Sequence, residues 1–291
     1  MKRSFFQYVS LNVLGALGLS GYILADTLFV AHRLGTDGLA ALNLAISVFG
    51  LINGLGLMLG IGGATRYALC RPQGDGVRAD RAFSRALACG GTLGGLLALA
   101  GLLWAVPLAR LLGAEGAILP MCSVYLRTVL LFAPCFLLNH ILTAFVRNDG
   151  NPRLATICML MGSLFNIVFD YIFIFPLGMG IFGAVLATGI SPVVSISLIM
   201  TFYCGRGKQG FHFRRGIPDG KTFGRISSLG VPSLITEVCT GLVILVFNML
   251  MLRLEGNVGV AAYGVVVNIS YVMVAMYTGL AQGTQPLLSR A

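Results

Sequence analysis

Two carboxylates lie in long apolar stretches of the chain, where a charge is expensive. Asp26 lies within the apolar residues 20–31, and Asp170 lies in a second apolar stretch, one helical turn after Asn166. Insertion scales put the cost of a charge at the bilayer centre at roughly 2.5–3.5 kcal/mol, so such residues usually face a protein interior or an aqueous cavity and have a function. Asp26 and Asp170 are therefore candidates for the ion-coupling site of a transporter.

Spacing gives each carboxylate a polar neighbour. Asn166 precedes Asp170 by four residues, and Tyr22 precedes Asp26 by four, which places each pair on one helix face. Carboxylate, carboxamide and hydroxyl oxygens are the ligands that a hard cation such as Na⁺ takes, and the carboxylates can equally hold a proton. Desolvation favours the protonated carboxyl whereas a bound cation favours the carboxylate, so H⁺ and Na⁺ are expected to compete. The alternative is a structural hydrogen-bond hub at either aspartate.

Depth counted along the predicted helices places Thr188 at the same level in the membrane as Asp26 and Asp170. With a rise of about 1.5 Å per residue, Asp170 lies about 24 Å from the inner end of a helix that begins at Leu154, and Thr188 lies about 10 Å in from the outer surface. Asp26 lies near the outer end of the first helix. We therefore expect Asp26, Asp170 and Thr188 to meet in the outer half of the membrane.

Glu237 is a third acid within an apolar stretch. It lies about 16 Å along the seventh predicted helix, near the membrane midplane, and is a candidate for binding a cationic substrate or a proton. The alternative is that the neighbouring Thr236 or Thr240 holds its carboxylate. His140 is interpreted as a packing residue, because the three scattered histidines make no metal site.

Composition indicates an all-α polytopic membrane protein. Of the 291 residues, 57% are hydrophobic and 10% are charged, with a mean hydropathy of +0.88, whereas soluble domains carry about 25% charged residues. The net charge of +10 does not indicate nucleic-acid binding, because the sequence contains no soluble basic domain. The expected partner is the lipid bilayer.

Eight apolar stretches reach the length of about 20 residues that a helix needs to cross a bilayer. They are residues 5–31, 39–68, 83–108, 118–145, 154–175, 182–203, 226–252 and 258–288. Most of the 20 Lys and Arg fall between spans on one side, the exceptions being Arg33, Arg110, Arg127 and Arg253. The positive-inside rule then predicts a multi-pass protein of the cell inner membrane with a cytoplasmic N-terminus.

Similarity between two segments of the chain indicates a parallel repeat. Residues 35–41 (GTDGLAA) resemble residues 256–262 (GNVGVAA), each at an outside turn that leads into an even-numbered span. Parallel repeats are common in transporters, with the substrate path between the halves. The predicted organisation is an N-lobe of six helices at 1–205, a basic cytoplasmic linker at 206–225, and the first two helices of a C-lobe at 226–291. The remaining four helices of that lobe are absent, so the chain is expected to be C-terminally truncated.

At these residues the chain resembles the multidrug and toxic compound extrusion (MATE) family, in particular its MepA-like and DinF-like branch. The matching stretches, in the family's order, are ADTLFV at 25–30 with Leu34-Gly35, RNDGNP at 147–152, NIVFD at 166–170, GAVLAT at 183–188, GVP at 230–232 and Gln285-Pro286. The resemblance implies twelve helices in two lobes and export of cationic and amphipathic drugs by antiport with H⁺ or Na⁺.

The resemblance also implies roles for particular residues. The family's N-lobe ion site would correspond to Asp26, Asn166, Asp170 and Thr188, with Tyr22 one turn from the first. Asn139 would be the asparagine of the substrate cavity, although the depth counted along the fourth helix places it near the inner end. Some relatives bend the first helix at a proline. This helix has no proline before Asp26, so any bend would use Gly15, Gly18 and Gly21.

The sequence therefore predicts a cation-coupled multidrug antiporter that works by alternating access, is not an enzyme and needs no cofactor. A lipid-linked saccharide flippase is a rival, but membrane-embedded basic residues are nearly absent. An intramembrane aspartyl protease using Asp26 and Asp170 is a second rival, but the GxGD pattern is missing. A non-transporting fragment is the third. The sequence leaves open the drug, the choice between Na⁺ and H⁺, and the oligomeric state.

Overall fold

The computed structural model describes residues 2–71, 74–204, 210–214 and 220–288, and within these ranges the chain contains helices and no β-strand. The α-helices are α1 (Lys2–Cys70), α2 (Gly76–Leu111), α3 (Ile118–Leu131), α4 (Ala133–Asn148), α5 (Pro152–Ile174), α6 (Gly180–Ile199) and α7 (Gly220–Leu288). A π-helical turn, Met200–Cys204, extends α6. The predicted all-α class is confirmed.

The first two predicted spans are the two parts of α1, which meet at Gly35. This residue has φ 64° and ψ −152° inside an otherwise helical element, a conformation that glycine adopts without the steric cost a Cβ brings. The outside turn predicted between these two spans is therefore reduced to a break at one residue. The backbone of α1 is helical at Gly15, Gly18 and Gly21, the positions that any bend in place of a proline kink would use.

The predicted fourth span, residues 118–145, is formed by two helices with a bend between them. It consists of α3 and α4, which meet at Phe132 with a bend of 46°. Pro134 lies in the first turn of α4, and it cannot donate the backbone hydrogen bond to Leu130 that a continuous helix requires. The helix α2 packs against this bend, since a Cβ on Gly94 would lie 2.5 Å from the Cα of Pro134.

Membrane-length helices make up most of the described chain. Five helices are long and apolar enough to cross a bilayer, and the bent pair α3 and α4 adds a sixth. The apolar part of α1, Gly21–Cys70, has 50 residues and is long enough for two crossings at about 20 residues each. On the outer face of α2, exposed apolar side chains such as Leu96, Leu103 and Trp104 are positioned for contact with lipid.

The last two predicted spans both lie within α7. The predicted loop at residues 255–257 is part of this one helical element, and it contains no proline that would end a helix. Within α7, the segment Phe223–Ile244 meets the criteria for a membrane span. The side chains of residues 278–288 lie outside the described part of the chain, so the match around Gln285 and Pro286 is not tested.

The start of α7 packs directly on the second part of α1 through glycines. A Cβ on Gly62 would lie 2.0 Å from the carbonyl oxygen of Ile226, and one on Gly230 would lie 2.0 Å from that of Met58. No side chain fits between backbones this close. Small residues permit such contacts between membrane helices, so these glycines hold α1 and α7 together near one end of the bundle.

That end, where α1 ends and α2 begins, carries most of the described arginines and is called the basic end below. Asp149, just after α4, accepts hydrogen bonds there from the hydroxyls of Tyr67 and Tyr203 and from the backbone N–H of Gly210 at 2.6 Å. Arg71 forms an ion pair with the same carboxylate at 3.0 Å. Asp149 therefore joins α1, α4, the end of α6 and the segment 210–214.

The segment 210–214 of the predicted linker is docked on this end. Phe211 is 1% exposed and lies among the rings of Tyr67, Phe83, Phe145 and Tyr203, with centroid distances of 4.3–6.1 Å. Two backbone N–H groups that follow it are also bonded: His212 donates to Asp80 at 2.9 Å, and Arg214 donates to Ser84 at 2.8 Å. The other linker residues up to 219 lie outside the described part of the chain.

Candidate functional site

All five residues of the predicted ion site are buried in the bundle. Asp26 is 6% exposed and Asp170 is 0% exposed, and Tyr22, Asn166 and Thr188 are buried with them. Tyr22 and Asp26 lie on the first part of α1, Asn166 and Asp170 lie on α5, and Thr188 lies on α6. The charges of Asp26 and Asp170 interact electrostatically, and Tyr22 is close enough to be influenced by both. The structure thus brings together residues from three helices.

Gly35 and the start of α6 lie together at the end of the described bundle that is opposite the basic end. A Cβ on Gly180, the first residue of α6, would lie 3.6 Å from Leu34. Asp170 lies four residues before the end of α5, or about 6 Å, and Thr188 lies eight residues into α6, or about 12 Å. Asp26 lies a similar distance before Gly35. The cluster therefore lies in the half of the bundle far from the arginines, as the depth count predicted.

Asn166 links the carboxylate of Asp170 to α6. When the amide nitrogen of Asn166 faces that carboxylate, it donates to Asp170 Oδ2 at 3.2 Å, and the amide oxygen accepts from the backbone N–H of Thr188 at 3.1 Å. The reversed amide would place its oxygen against the carboxylate oxygen and leave a longer contact of 3.4 Å to Thr188 Oγ1. Asn166 therefore orients one side of Asp170 and leaves the other side free for a ligand.

One oxygen of each carboxylate has no protein donor. Asp26 Oδ1 and Asp170 Oδ1 are buried and form no hydrogen bond within the described part of the chain. A buried polar atom without a partner costs about 1–3 kcal/mol, and more when the group is charged. Two such oxygens in one cluster, with their charges interacting, would be stabilised by a cation bound between them or by a shared proton.

Close helix packing holds the α5 and α6 residues in place. Ser191 on α6 donates a hydrogen bond of 2.9 Å to the carbonyl oxygen of Gly162 on α5, and a Cβ on Gly162 would lie 3.2 Å from the carbonyl oxygen of Ser191. The glycine therefore permits the helix approach that lets Asn166 reach Thr188, about one turn further along α5.

Aromatic contacts hold α1 against α5 beside the carboxylates. Phe29, three residues after Asp26, packs edge-on against Tyr171 and Phe175 with ring centroids 6.3 and 5.8 Å apart. Edge-to-face pairs of this kind contribute about 0.5–1.5 kcal/mol of stability beyond that of the apolar area they bury. The backbone of α1 also packs against a side chain of α5 at Gly18, where a Cβ would lie 2.4 Å from a methyl group of Leu160.

Tyr125 on α3 is a member of the cluster that the sequence did not single out. It is buried and close enough for electrostatic interaction with Asp26, Tyr22 and Asp170. Its hydroxyl can donate to a carboxylate or contribute an oxygen ligand. The available signal was one phenol near the start of an apolar helix, which does not stand out because tyrosine is enriched near the ends of membrane helices.

The predicted substrate-cavity residues lie elsewhere, where α4 and α7 each pack against the second part of α1. His140 Nε2 is 3.0 Å from Asn53 Oδ1, which agrees with its interpretation as a satisfied packing residue. Asn139 is half-buried, and its Oδ1 has no hydrogen bond within the described part of the chain. Glu237 lies against the adjacent turn of α1, since a Cβ on Gly54 would lie 3.1 Å from the Cβ of Glu237.

The alternative reading, that Thr236 or Thr240 holds the Glu237 carboxylate, finds no hydrogen bond to support it among the described residues. Thr236 donates its hydroxyl hydrogen bond to the carbonyl oxygen of Pro232, and Thr240 donates to that of Thr236. Threonine hydroxyls in membrane helices commonly bond the preceding turn of their own backbone, so these two donors are used locally. The described residues also contain no group of three or more His, Cys, Asp or Glu that could hold a metal ion.

Comparisons with known proteins agree with this architecture. The MatE family model matches residues 13–172. The multidrug export protein MepA of Staphylococcus saprophyticus is 29% identical over 280 residues, which cover 95% of this chain and 61% of the relative.

Solved structures match over nearly the whole chain. An outward-facing multidrug resistance MATE family transporter of the MOP superfamily has a TM-score of 0.86 at 26% identity, covering 98% of this chain and 63% of its own. A MOP superfamily transporter from Pyrococcus furiosus, described as having a binding pocket of reverse polarity that suggests a different function, has a TM-score of 0.87 at 26% identity and the same coverage. The chain therefore spans about three fifths of the length of these relatives.

The family model covers more than half of the chain, and the transporter structures share its helical arrangement from α1 to α7. The chain is therefore an integral membrane protein that belongs to the MatE family, the multidrug and toxic compound extrusion (MATE) transporters.

Proposed function

We propose that this chain provides the coupling-ion site of a cation-coupled multidrug antiporter, which exports cationic or amphipathic compounds by alternating access. The observation that carries the proposal is the pair of buried carboxylate oxygens, Asp26 Oδ1 and Asp170 Oδ1, that lack protein donors within the described part of the chain. Asn166 orients the second carboxylate and is itself held by the backbone N–H of Thr188, and Tyr22 and Tyr125 supply neighbouring hydroxyls. The coupling ion, H⁺ or Na⁺, binds as a transported ion and not as a resident cofactor.

The cycle follows from the electrostatics of the pair. With both carboxylates ionised in a desolvated cluster, their repulsion opposes close packing of α1 against α5. A cation that enters from outside neutralises part of this charge and favours a tighter arrangement of the two helices. Release of the cation toward the cytoplasm restores the repulsion and resets the site. The ion therefore shifts the equilibrium between two arrangements in proportion to its difference in affinity for them.

The substrate would bind between α1, α4 and α7. Glu237 offers a carboxylate for a cationic drug, and Asn139 and Asn53 offer hydrogen-bonding groups nearby. MepA relatives are multidrug export proteins, which supports drugs as the substrate class. The reverse polarity described for the Pyrococcus furiosus transporter indicates that pocket charge varies within this architecture, so Glu237 is the residue to test for cation selectivity.

Topology is part of the proposal. The basic end would face the cytoplasm of a cell whose inner membrane the helices cross, because basic residues accumulate on the cytoplasmic side. In this orientation the N-terminus is cytoplasmic, and the close contact of α1 with α7 at Gly62 and Gly230 closes the cytoplasmic side. Residues 1–205 would form the N-lobe, residues 206–225 the linker and residues 226–291 the beginning of the C-lobe.

The test is drug resistance in cells that produce the complete gene product with Asp26→Asn or Asp170→Asn. Each change preserves the size of the side chain and removes its charge, so we expect loss of resistance at unchanged membrane abundance. Asp37→Asn is the matched control, because Asp37 is exposed next to the break in α1. Normal resistance in both site variants would contradict the proposal.

The choice of ion requires vesicles. Drug transport by the complete gene product, driven by an imposed Na⁺ gradient or an imposed H⁺ gradient, identifies the ion that drives the cycle. The same vesicles with Glu237→Gln test substrate charge, since a cationic drug should lose more transport than a neutral amphipathic one.

A further inference from the structure

A cavity of about 130 Å³ at the basic end is lined by arginines. Its lining residues are Arg66, Arg78, Arg81, Ala82 and Arg85. The three arginines of α2 follow one another at intervals of three and four residues, which places them on one helix face. Arg66 faces them from the last turns of α1. Four guanidinium groups from two helices thus surround one small space.

Two of the four arginines that line this cavity, Arg66 and Arg81, have no carboxylate partner within the described part of the chain. Arg78 forms an ion pair of 3.0 Å with Asp75, the residue that caps the start of α2. Like charges held this close repel one another, and an anion between them would relieve the repulsion. Guanidinium groups match phosphate oxygens especially well, because each can donate two parallel hydrogen bonds.

Apolar side chains beside the cavity indicate where the phosphate comes from. Leu69, one turn after Arg66, is 54% exposed, and Val77, next to Arg78, is 39% exposed. The predicted apolar span of α2 begins at residue 83, so the arginines lie at the level where lipid headgroups meet the hydrocarbon. Basic pockets between membrane helices on the cytoplasmic side bind anionic headgroups in other proteins.

We propose that the cavity between Arg66 of α1 and Arg78, Arg81 and Arg85 of α2 binds a phosphate group, supplied by an anionic phospholipid. The phosphate lies among the guanidinium groups and the acyl chains follow the exposed faces of Leu69 and Val77. Because the cavity joins the end of α1 to the start of α2, an occupied site ties together two helices whose connecting residues 72 and 73 lie outside the described part of the chain.

The experiment compares lipid binding to the purified chain and to two variants with equal loss of charge. Arg66→Gln/Arg81→Gln removes two arginines of the cavity, and Arg33→Gln/Arg110→Gln removes two exposed arginines remote from it. Each protein is placed in phosphatidylcholine nanodiscs with or without phosphatidylglycerol. Retained lipid is counted by native mass spectrometry, and the unfolding temperature is recorded. A further set in phosphatidylcholine alone receives inorganic phosphate or chloride at equal ionic strength.

The expected result is that phosphatidylglycerol stabilises the wild-type chain and the remote variant, and that its affinity falls at least about tenfold in the cavity variant, since charge-assisted hydrogen bonds are lost. Arg81→Lys keeps the positive charge but loses the paired hydrogen-bond donors of the guanidinium group. Its affinity for phosphatidylglycerol should lie between those of the wild-type chain and the cavity variant. Equal binding by all proteins, or equal loss in both double variants, would overturn the site in favour of nonspecific surface charge. Equal stabilisation by inorganic phosphate would overturn the lipid source and assign the cavity to a soluble phosphate.

Discussion

Replacing Phe211 by alanine should release the linker from the basic end of the bundle. Phe211 is 1% exposed, and its ring contacts four aromatic rings, the nearest being Phe83 at 4.3 Å between centroids. Removal of a buried phenylalanine side chain costs about 3–5 kcal/mol. The hydrogen bonds of Gly210 and His212 to carboxylates remain in the variant, so we use the lower value, which corresponds to about a 100-fold increase in the undocked population.

Limited proteolysis with trypsin measures this population, because the linker sequence contains Arg206, Lys208 and Arg214. Cleavage of a segment that opens and closes rapidly follows the equilibrium population of its open form. We expect the cleavage rate in Phe211→Ala to rise by about two orders of magnitude. Phe213→Ala is the matched control, because Phe213 is 70% exposed and such surface changes usually remain within about 0.5 kcal/mol. Similar cleavage rates in the two variants would refute the docking.

Three further predictions test other parts of the account. Gly230→Val should prevent the close contact of α7 with the Met58 carbonyl and lower the yield of folded protein. Gly241→Val, at a position with open space around it, should leave the yield unchanged. Equal yields of the two variants on size-exclusion chromatography would contradict the close packing. Tyr125→Phe should leave the unfolding temperature nearly unchanged but alter the affinity for the coupling ion by several-fold, and an unchanged ion titration would remove Tyr125 from the site. Glu237→Gln should reduce the binding of a cationic dye by about tenfold if the carboxylate pairs with it, and binding that is unchanged would assign Glu237 a structural role.

The polar cluster was accessible from sequence because of the cost of charge in an apolar environment. Asp26 and Asp170 stand out among apolar neighbours, and helical spacing ties Tyr22 and Asn166 to them. The structure brings these residues together with Thr188, while their role in ion coupling stays a prediction. Tyr125 was missed because a phenol carries no comparable cost, and its nearness depends on how α3 packs across the bundle.

The features that the sequence did not predict depend on contacts between distant residues. Pro134 is visible in the sequence, but a proline can be accommodated either by a kink or by a straight helix that lacks one hydrogen bond. The packing of neighbouring helices decides between the two, and here α3 and α4 are bent by 46°. The role of Asp149 was also hidden, because its partners Tyr67, Tyr203 and Gly210 are far apart in the chain. Gly35 was predicted as part of a loop, whereas one residue with positive φ is sufficient for the break.

The most direct test of the central claim is infrared difference spectroscopy of the purified chain as the pH is lowered in K⁺ buffer. Protonation of a buried carboxylate creates a carboxylic acid C=O band, so the measurement reports the carboxyl groups themselves. We expect acidification to produce bands that disappear in Asp26→Asn/Asp170→Asn and persist in Asp37→Asn, and we expect Na⁺ to weaken them by competing for the same oxygens. An identical set of bands in all three proteins would show that Asp26 and Asp170 do not bind the coupling cation.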